Sequence, residues 1–276
     1  MRVSDRIEQE LEEHLGTLKR LGGGFHSRVY LSESRDSVVK VYRSKSTGMH
    51  KLEAAHMARA GLAAFVLGTF EFEGWDVLVM QRFHGAPLER KDVTAALPNL
   101  GKFLRELHGH LADSIDQQAI QTRLMRFHGT LDGVAERSIL EPLFAAVHNA
   151  LEQGLFEGIN GLCHLDLWRA NVLFAAPDHV LVVDWAKSTW DDPARDYALL
   201  MTGTFDMLEP SQAVKLALEL ARAESEQVAS RLPAQVALTT LHDFHWFLER
   251  DTPAYQANFA EKLKRALLML EVSGIH

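Results

Sequence analysis

Cysteine is nearly missing from this 276-residue chain: Cys163 stands alone, so no internal disulfide can form and a reducing compartment is expected. Long apolar runs are missing too. No stretch approaches the roughly 20 residues that cross a bilayer as a helix, and Met1 to Arg20 is charged and periodic, without the apolar core of a signal peptide. No basic block of the kind that follows nucleic-acid phosphates stands out; Lys and Arg number 29 against 37 Asp and Glu, a net charge of −8. The 14 histidines include no His-Glu-x-x-His zinc pattern, and neither an internal repeat nor a low-complexity segment is present. These absences point away from secreted, membrane and nucleic-acid-binding classes and towards a cytoplasmic, soluble protein. Oligomeric state does not follow from them; a monomer or homodimer is expected.

What is present is an ordinary globular composition, 47% hydrophobic and 24% charged, enough for one large domain or two modest ones. Ile7, Leu11 and Leu15 recur at helical spacing and predict an amphipathic opening helix. Leu18 to Leu31 alternates on either side of Gly22, Gly23 and Gly24, which predicts strand, glycine turn, strand. Glycines let a backbone approach a ligand and turn its N–H groups towards phosphate oxygens, although a plain hairpin turn has the same signature. Ser37 to Arg43 predicts a third strand. Lys40 within it is either the solvent-facing residue of an alternating strand or an ammonium held over phosphates. Met49 to Ala60 predicts a helix carrying Glu53, either a surface residue or the carboxylate such an ammonium needs. Phe65 to Phe70 and Trp75 to Met80 predict two further strands. Polar residues, Gly85 and Pro87 then break the strand character, which places a lobe boundary at residue 83, with a hinge near 81–85. Beyond it helices are expected over Leu97 to His110, Ser114 to Phe127, Ile139 to Leu155, Pro193 to Gly203, Pro210 to Glu224, Pro233 to Arg250 and Pro253 to Leu270. Those that begin at proline suit the first helical turn.

The stretch from His164 to Asp184 carries the chemistry. Val172 to Phe174 and Val180 to Val183 flank a polar turn and predict a hairpin. Folding it back sets Asn171 at its entry beside Asp184 at its exit, with Asp166 on the loop just before. Single Asp and Asn residues at strand ends are commonly turn formers. The joint pattern, an acid after His-x, an Asn five residues on, then apolar-apolar-Asp, points to chemistry instead. An amide and a carboxylate are hard oxygen donors suited to Mg²⁺, and a third carboxylate can orient a hydroxyl. This is the set that phosphoryl transfer from a nucleotide needs.

Glycine-rich hairpin, strand lysine, helix glutamate, hinge, His164-Leu165-Asp166 through Asn171, Val183-Asp184-Trp185 and Asp192-Pro193-Ala194-Arg195-Asp196, in this order, resemble the aminoglycoside phosphotransferase and choline kinase-like family. The resemblance runs from about Leu18 to about Leu200. It implies an α+β, two-lobed protein kinase-like fold: a small antiparallel β-sheet lobe (1–83) that binds nucleotide, and a larger, mainly helical lobe (84–276) with the catalytic loop and acceptor site. It implies Asp166 as catalytic base, Asn171 and Asp184 as Mg²⁺ ligands, and Lys40 on the α/β-phosphates paired with Glu53. It further implies Gly22, Gly23 and Gly24 along the phosphates, backbone groups of Gln81 and Phe83 on the base, and Asp196 steadying the catalytic loop. The chain departs from the family at Leu165, where glycine is usual, and at Ala186, where many relatives carry an acid.

The function expected is therefore transfer of the γ-phosphoryl group of ATP or GTP, with Mg²⁺, to a small-molecule hydroxyl: an aminoglycoside, choline or ethanolamine, a sugar or an amino alcohol. An atypical protein kinase and a catalytically silent nucleotide-binding pseudokinase are the alternatives. Trp168, Trp185 and Trp190 are read first as core packing; the alternative is a wall for a cationic or sugar-like acceptor through their ring faces, amine-bearing if Asp191, Asp192 and Asp243 lie nearby. His242 and His245 are read as surface or pocket-lining residues before zinc ligands, and Cys163 as a small buried hydrophobe.

Overall fold

The computed structural model describes residues 3–22, 27–45, 47–114, 117–132, 137–249 and 254–275. By internal contacts the chain forms two compact units, Met1–His84 with Asp184–Ser188, and Gly85–Val183 with Thr189–His276. Gly23, Gly24 and the start of the helix expected at Pro253 lie outside the described residues. No described helix is long and apolar enough to cross a membrane.

The first unit opens with α1 (Val3–Leu15) and continues through β1 (Leu18–Gly22), β2 (Ser27–Ser32), β3 (Ser37–Lys45), α2 (Met49–Arg59), β4 (Val66–Phe72) and β5 (Trp75–Gln81). The strands form one antiparallel sheet in the order β1-β2-β3-β5-β4. Strand alternation divides its two faces. Val39 and Val41 of β3, Val77 and Val79 of β5 and Tyr30 of β2 close on Leu11 and Leu15 of α1, the apolar stripe expected of the opening helix. Lys40, register partner of Leu78, therefore points to the other face, where α2 lies. There α2 buries His50, Glu53, His56 and Met57, spaced along one side of the helix but mostly polar. It packs by hydrogen bonding as much as by apolar area.

The second unit comprises β6 (Ala86–Pro87), α3 (Val93–His108), β7 (Leu111–Ser114), α4 (Gln117–Leu131), α5 (Arg137–Glu152), β8 (Ile159–Cys163), β9 (Val172–Ala175), β10 (His179–Val182), β11 (Thr189–Asp191), α6 (Pro193–Leu199), α7 (Pro210–Glu224), α8 (Glu226–Glu249) and α9 (Ala254–Val272). Its core helix is α8, packed against α4, α5, α6, α7 and α9 and buried along most of Val228 to His245. Two small sheets, β10-β9-β6 and β11-β8-β7, complete the unit.

Three expectations are corrected. Pro233 does not begin a helix; α8 starts at Glu226, and the proline sits buried in its interior. The start is set instead by Ser225, whose extended backbone ends α7 and whose Oγ accepts the Val228 N–H at 3.1 Å, an N-cap. The helix expected from Leu97 begins four residues earlier and carries Pro98 inside it. The helix expected to reach Gly203 is α-helical only to Leu199 and continues as a π-turn over Leu200–Thr204. That turn is tied to the loop after β8 by Thr204 Oγ1 donating to the Leu167 carbonyl at 2.7 Å. A β-carbon on Gly203 would stand 3.0 Å from the same carbonyl oxygen and 3.2 Å from the Trp168 ring, so glycine is what lets the two segments meet.

Candidate active site

In the first unit, Lys40 is 4% exposed, and its Nζ donates to Glu53 Oε1 at 2.9 Å, Glu53 Oε2 at 2.7 Å and Asp184 Oδ1 at 2.8 Å. Burial alone would lower the lysine pKa, but the carboxylates of Glu53 and Asp184 outweigh it and hold the value above the ordinary one. Lys40 is thus a fixed ammonium with its three donors committed. Tyr42, two residues along the strand and on the same face, donates to Glu53 Oε2, and burial with that carboxylate pushes its phenol pKa up. Glu53 also accepts the Trp185 N–H at 3.1 Å, while His56 Nδ1 donates to the Trp185 carbonyl at 3.1 Å. Two residues of α2 therefore grip the backbone just after Asp184. Asp184 itself is left-handed, φ 68° and ψ 67°, with its side chain 42% exposed.

In the second unit, the loop after β8 is organised by Asp196. Its Oδ2 accepts the His164 N–H at 2.7 Å and its Oδ1 the Leu165 N–H at 2.8 Å. These bonds hold Leu165 at φ 61°, a left-handed conformation that a side chain disfavours. His164 Nδ1 accepts the Asp166 N–H at 3.3 Å, so Nε2 carries the hydrogen and donates to the Val183 carbonyl at 3.1 Å. Asp166 is 8% exposed. Asn171 ends a 3₁₀ turn and donates through Nδ2 to the Asp166 carbonyl at 2.8 Å and to Asp166 Oδ2 at 3.3 Å. With its nitrogen committed, the amide oxygen is the atom left to bind a cation. The hairpin forms with Val172 opposite Val182, and Val183 N–H extends the ladder to the Asn171 carbonyl at 2.9 Å.

Behind the loop is a layer that the motifs do not spell out. His108, at the end of α3, lies between Asp196 Oδ2 at 3.3 Å and Glu224 Oε2 at 2.7 Å, and Tyr197 donates to the same Glu224 oxygen at 2.6 Å. Burial alone would lower the His108 pKa; the two carboxylates outweigh it and push it up to about 9. Burial would likewise raise Asp196, but His108 and the His164 amide hold it below the usual carboxylate range. The sequence does carry a signal for this residue. His108 sits on the apolar stripe of Leu100, Leu104 and Leu107, all buried, and an imidazole on such a stripe needs partners.

The remaining candidates separate. Gly22 ends β1 at an exposed position, Gln81 ends β5 with an exposed side chain, and Phe83 follows half-buried. Arg82 N–H, between the last two, bonds back to the Asp36 carbonyl at 3.1 Å. Trp185 is fully buried and cannot wall an acceptor pocket. Trp168 already has a cation, Lys262 Nζ, 4.2 Å from its ring centre, and Lys262 in turn pairs with buried Asp243. Asp192 is buried under Arg231 Nε, at 2.9 Å, and Gln235, and Asp191 is bound by Arg195. An acceptor amine therefore finds no idle carboxylate at Asp192 or Asp243, because folding has given each an internal cation. His242 and His245 pack against Phe127. Cys163 is fully buried, which pushes its thiol pKa well up.

The phosphotransferase enzyme family, APH, matches the chain over residues 17–236. No curated protein sequence matches it. Among solved structures, it is similar to a thermostable mutant of aminoglycoside phosphotransferase APH(4)-Ia in ternary complex with AMP-PNP and hygromycin B, with 19% identity, TM-score 0.70, and 97% and 98% of the two chains covered. A choline/ethanolamine kinase family protein from Mesorhizobium loti aligns with 18% identity and TM-score 0.70, over 97% and 95%. The GDP complex of an aminoglycoside 2′-phosphotransferase-IIIa variant aligns with 12% identity and TM-score 0.74, over 97% of each chain. At these identities the likeness speaks to the fold, which is the kinase-like phosphotransferase fold.

Proposed function

Since the chain belongs to the phosphotransferase enzyme family, we propose that it moves the γ-phosphoryl group of ATP or GTP to a hydroxyl of a small molecule. The observation that carries this reading is Lys40 held as an ammonium between Glu53 and Asp184, a buried cation of the kind that fixes a polyphosphate. The first unit then serves as the nucleotide lobe, with a hinge near 81–85, Gln81 and Phe83 offering backbone groups to the base and Gly22, Gly23 and Gly24 offering N–H groups to the phosphates.

Asn171 and Asp184 are the proposed Mg²⁺ ligands, and their hard oxygen donors fit that ion. When bound, Mg²⁺ neutralises charge on the phosphate oxygens. Asp166 orients the acceptor hydroxyl. As the bond from the γ-phosphorus to the bridging oxygen breaks and the bond to the acceptor oxygen forms, the hydroxyl proton passes late to the Asp166 carboxylate, because an alcohol is a far weaker acid than aspartic acid. Positioning and charge stabilisation supply most of the rate. An aminoglycoside, choline or ethanolamine, a sugar and an amino alcohol are the acceptor classes to try.

Nucleoside diphosphate release with Mg·ATP or Mg·GTP across a panel of such acceptors tests the reading. Asp166→Asn should bind nucleotide as the parent does and lose turnover by about 10²–10⁴-fold. Turnover at the parental rate would remove Asp166 from its role. Binding of Mg·ATP without turnover on any acceptor would favour the silent pseudokinase, and activity only on peptides the atypical protein kinase.

A further inference from the structure

Apart from the residues assigned above, the first unit contains a second convergence of ligand-type side chains. Glu71 on β4 and Asp76 on β5 are direct cross-strand partners, and like charges so placed repel. His50, in the first turn of α2, comes to the same point, and one atom from each of the three residues lies within 4.8 Å of the others. His50 and Asp76 are completely buried, whereas Glu71 is exposed.

Asp76 Oδ2 has ordinary partners, the Thr47 hydroxyl at 2.7 Å and the Met49 N–H at 3.1 Å. Its Oδ1 does not. That oxygen lies 3.2 Å from His50 Nδ1, near enough for an ion pair by distance. Yet neither atom, nor His50 Nε2, makes a hydrogen bond, so the angles are wrong although the separation is right. Buried polar atoms are rarely left without partners. A nitrogen and an oxygen at that distance, within reach of an ion pair, also stand at the separation of two ligands of one ion. Bonds of about 2.0–2.1 Å at tetrahedral angles separate ligand atoms by roughly 3.3–3.4 Å. The exposed Glu71 carboxylate supplies a third ligand and leaves a solvent side for entry and for a water.

We propose that His50, Glu71 and Asp76 form a binding site for a divalent transition-metal ion of the zinc class. An imidazole among carboxylates selects such an ion over Mg²⁺ or Ca²⁺, which prefer all-oxygen shells. The ion ties the first turn of α2 to the β4–β5 pair. Glu53 follows three residues after His50 on the same buried side of the helix, so the tie holds α2 where Glu53 meets Lys40. The site stands on geometry alone and is independent of the acceptor or the reaction.

The test uses tag-free full-length protein, stripped with a chelator and then loaded with Zn²⁺ or Co²⁺ in excess Mg²⁺. Expected are one zinc per chain after gel filtration, a rise in Tm on loading, and the visible bands of four-coordinate Co²⁺. Glu71→Gln, an exposed and isosteric change that leaves the fold intact, should weaken zinc binding at least about tenfold, and His50→Ala should abolish it. Asp184→Asn should retain the ion, which separates this site from the proposed Mg²⁺ ligands. The proposal is overturned if the parent retains no zinc, if Glu71→Gln and His50→Ala bind it as the parent does, or if only Asp184→Asn loses it.

Discussion

Leu165 shows what a single residue can be made to do. A left-handed backbone costs a residue with a β-carbon about 1–2 kcal/mol, and here it is enforced by the two bonds from the Asp196 carboxylate to the His164 and Leu165 amides. Leu165→Gly would relieve that strain while adding freedom to the unfolded chain. The two effects nearly cancel, so unfolding free energy within about 1 kcal/mol of the parent and near-parental turnover are expected from urea titration and a diphosphate-release assay. Glu53 is the opposite case. It neutralises Lys40, accepts from Tyr42 and holds the Trp185 amide, all out of water. Glu53→Ala leaves a buried ammonium short of its carboxylate and should cost about 3–5 kcal/mol in the same titration.

Between elements, the telling contact is His108, through which α3 meets Asp196 of α6 and Glu224 of α7. Its pKa is raised in the folded protein, so the stability it contributes is full below the unfolded value of about 6.5 and is lost as pH rises through about 9. The expected outcome is an unfolding free energy lower by about 3 kcal/mol at pH 10 than at pH 6, with the difference much reduced in His108→Gln. A pH-independent stability across that window would mean that His108 is neutral. At the junction of α7 and α8 a single residue, Ser225, ends one helix and caps the next. Ser225→Ala should cost about 1 kcal/mol.

At the scale of the molecule, each unit has its own organising core: the α1-covered sheet face in the first, and α8 in the second. A ligand that binds only the folded chain stabilises it in proportion to its occupancy. Mg·ATP at 100 times its Kd should raise the unfolding free energy by about 2.7 kcal/mol, read as a Tm shift. Lys40→Ala should abolish that shift and Glu71→Gln should keep it, because the two residues belong to separate sites.

The sequence by itself determined much of the element order. Alternation in Ser37–Lys45 and Trp75–Gln81 and helical spacing in α1 are local patterns, and a local pattern needs no partner to be read. It also displayed the His164–Asn171 and Asp184 motif, because that chemistry depends on residue types at short separations. Burial of polar groups was decided only by the tertiary structure. Glu53 and His50 look like surface residues of a polar helix, and they are buried because β3 and β5 bring Lys40 and Asp76 to them. Asp192, Asp243 and Trp185 look available for a substrate, yet distant Arg231 and Lys262 take the two carboxylates and the Trp185 ring is fully buried. Short strands such as β6 and β7 carry too few residues for alternation to register and exist because partners hold them. A charge leaves water only when another segment supplies its counterpart, and spacing along the chain does not show which segments will meet.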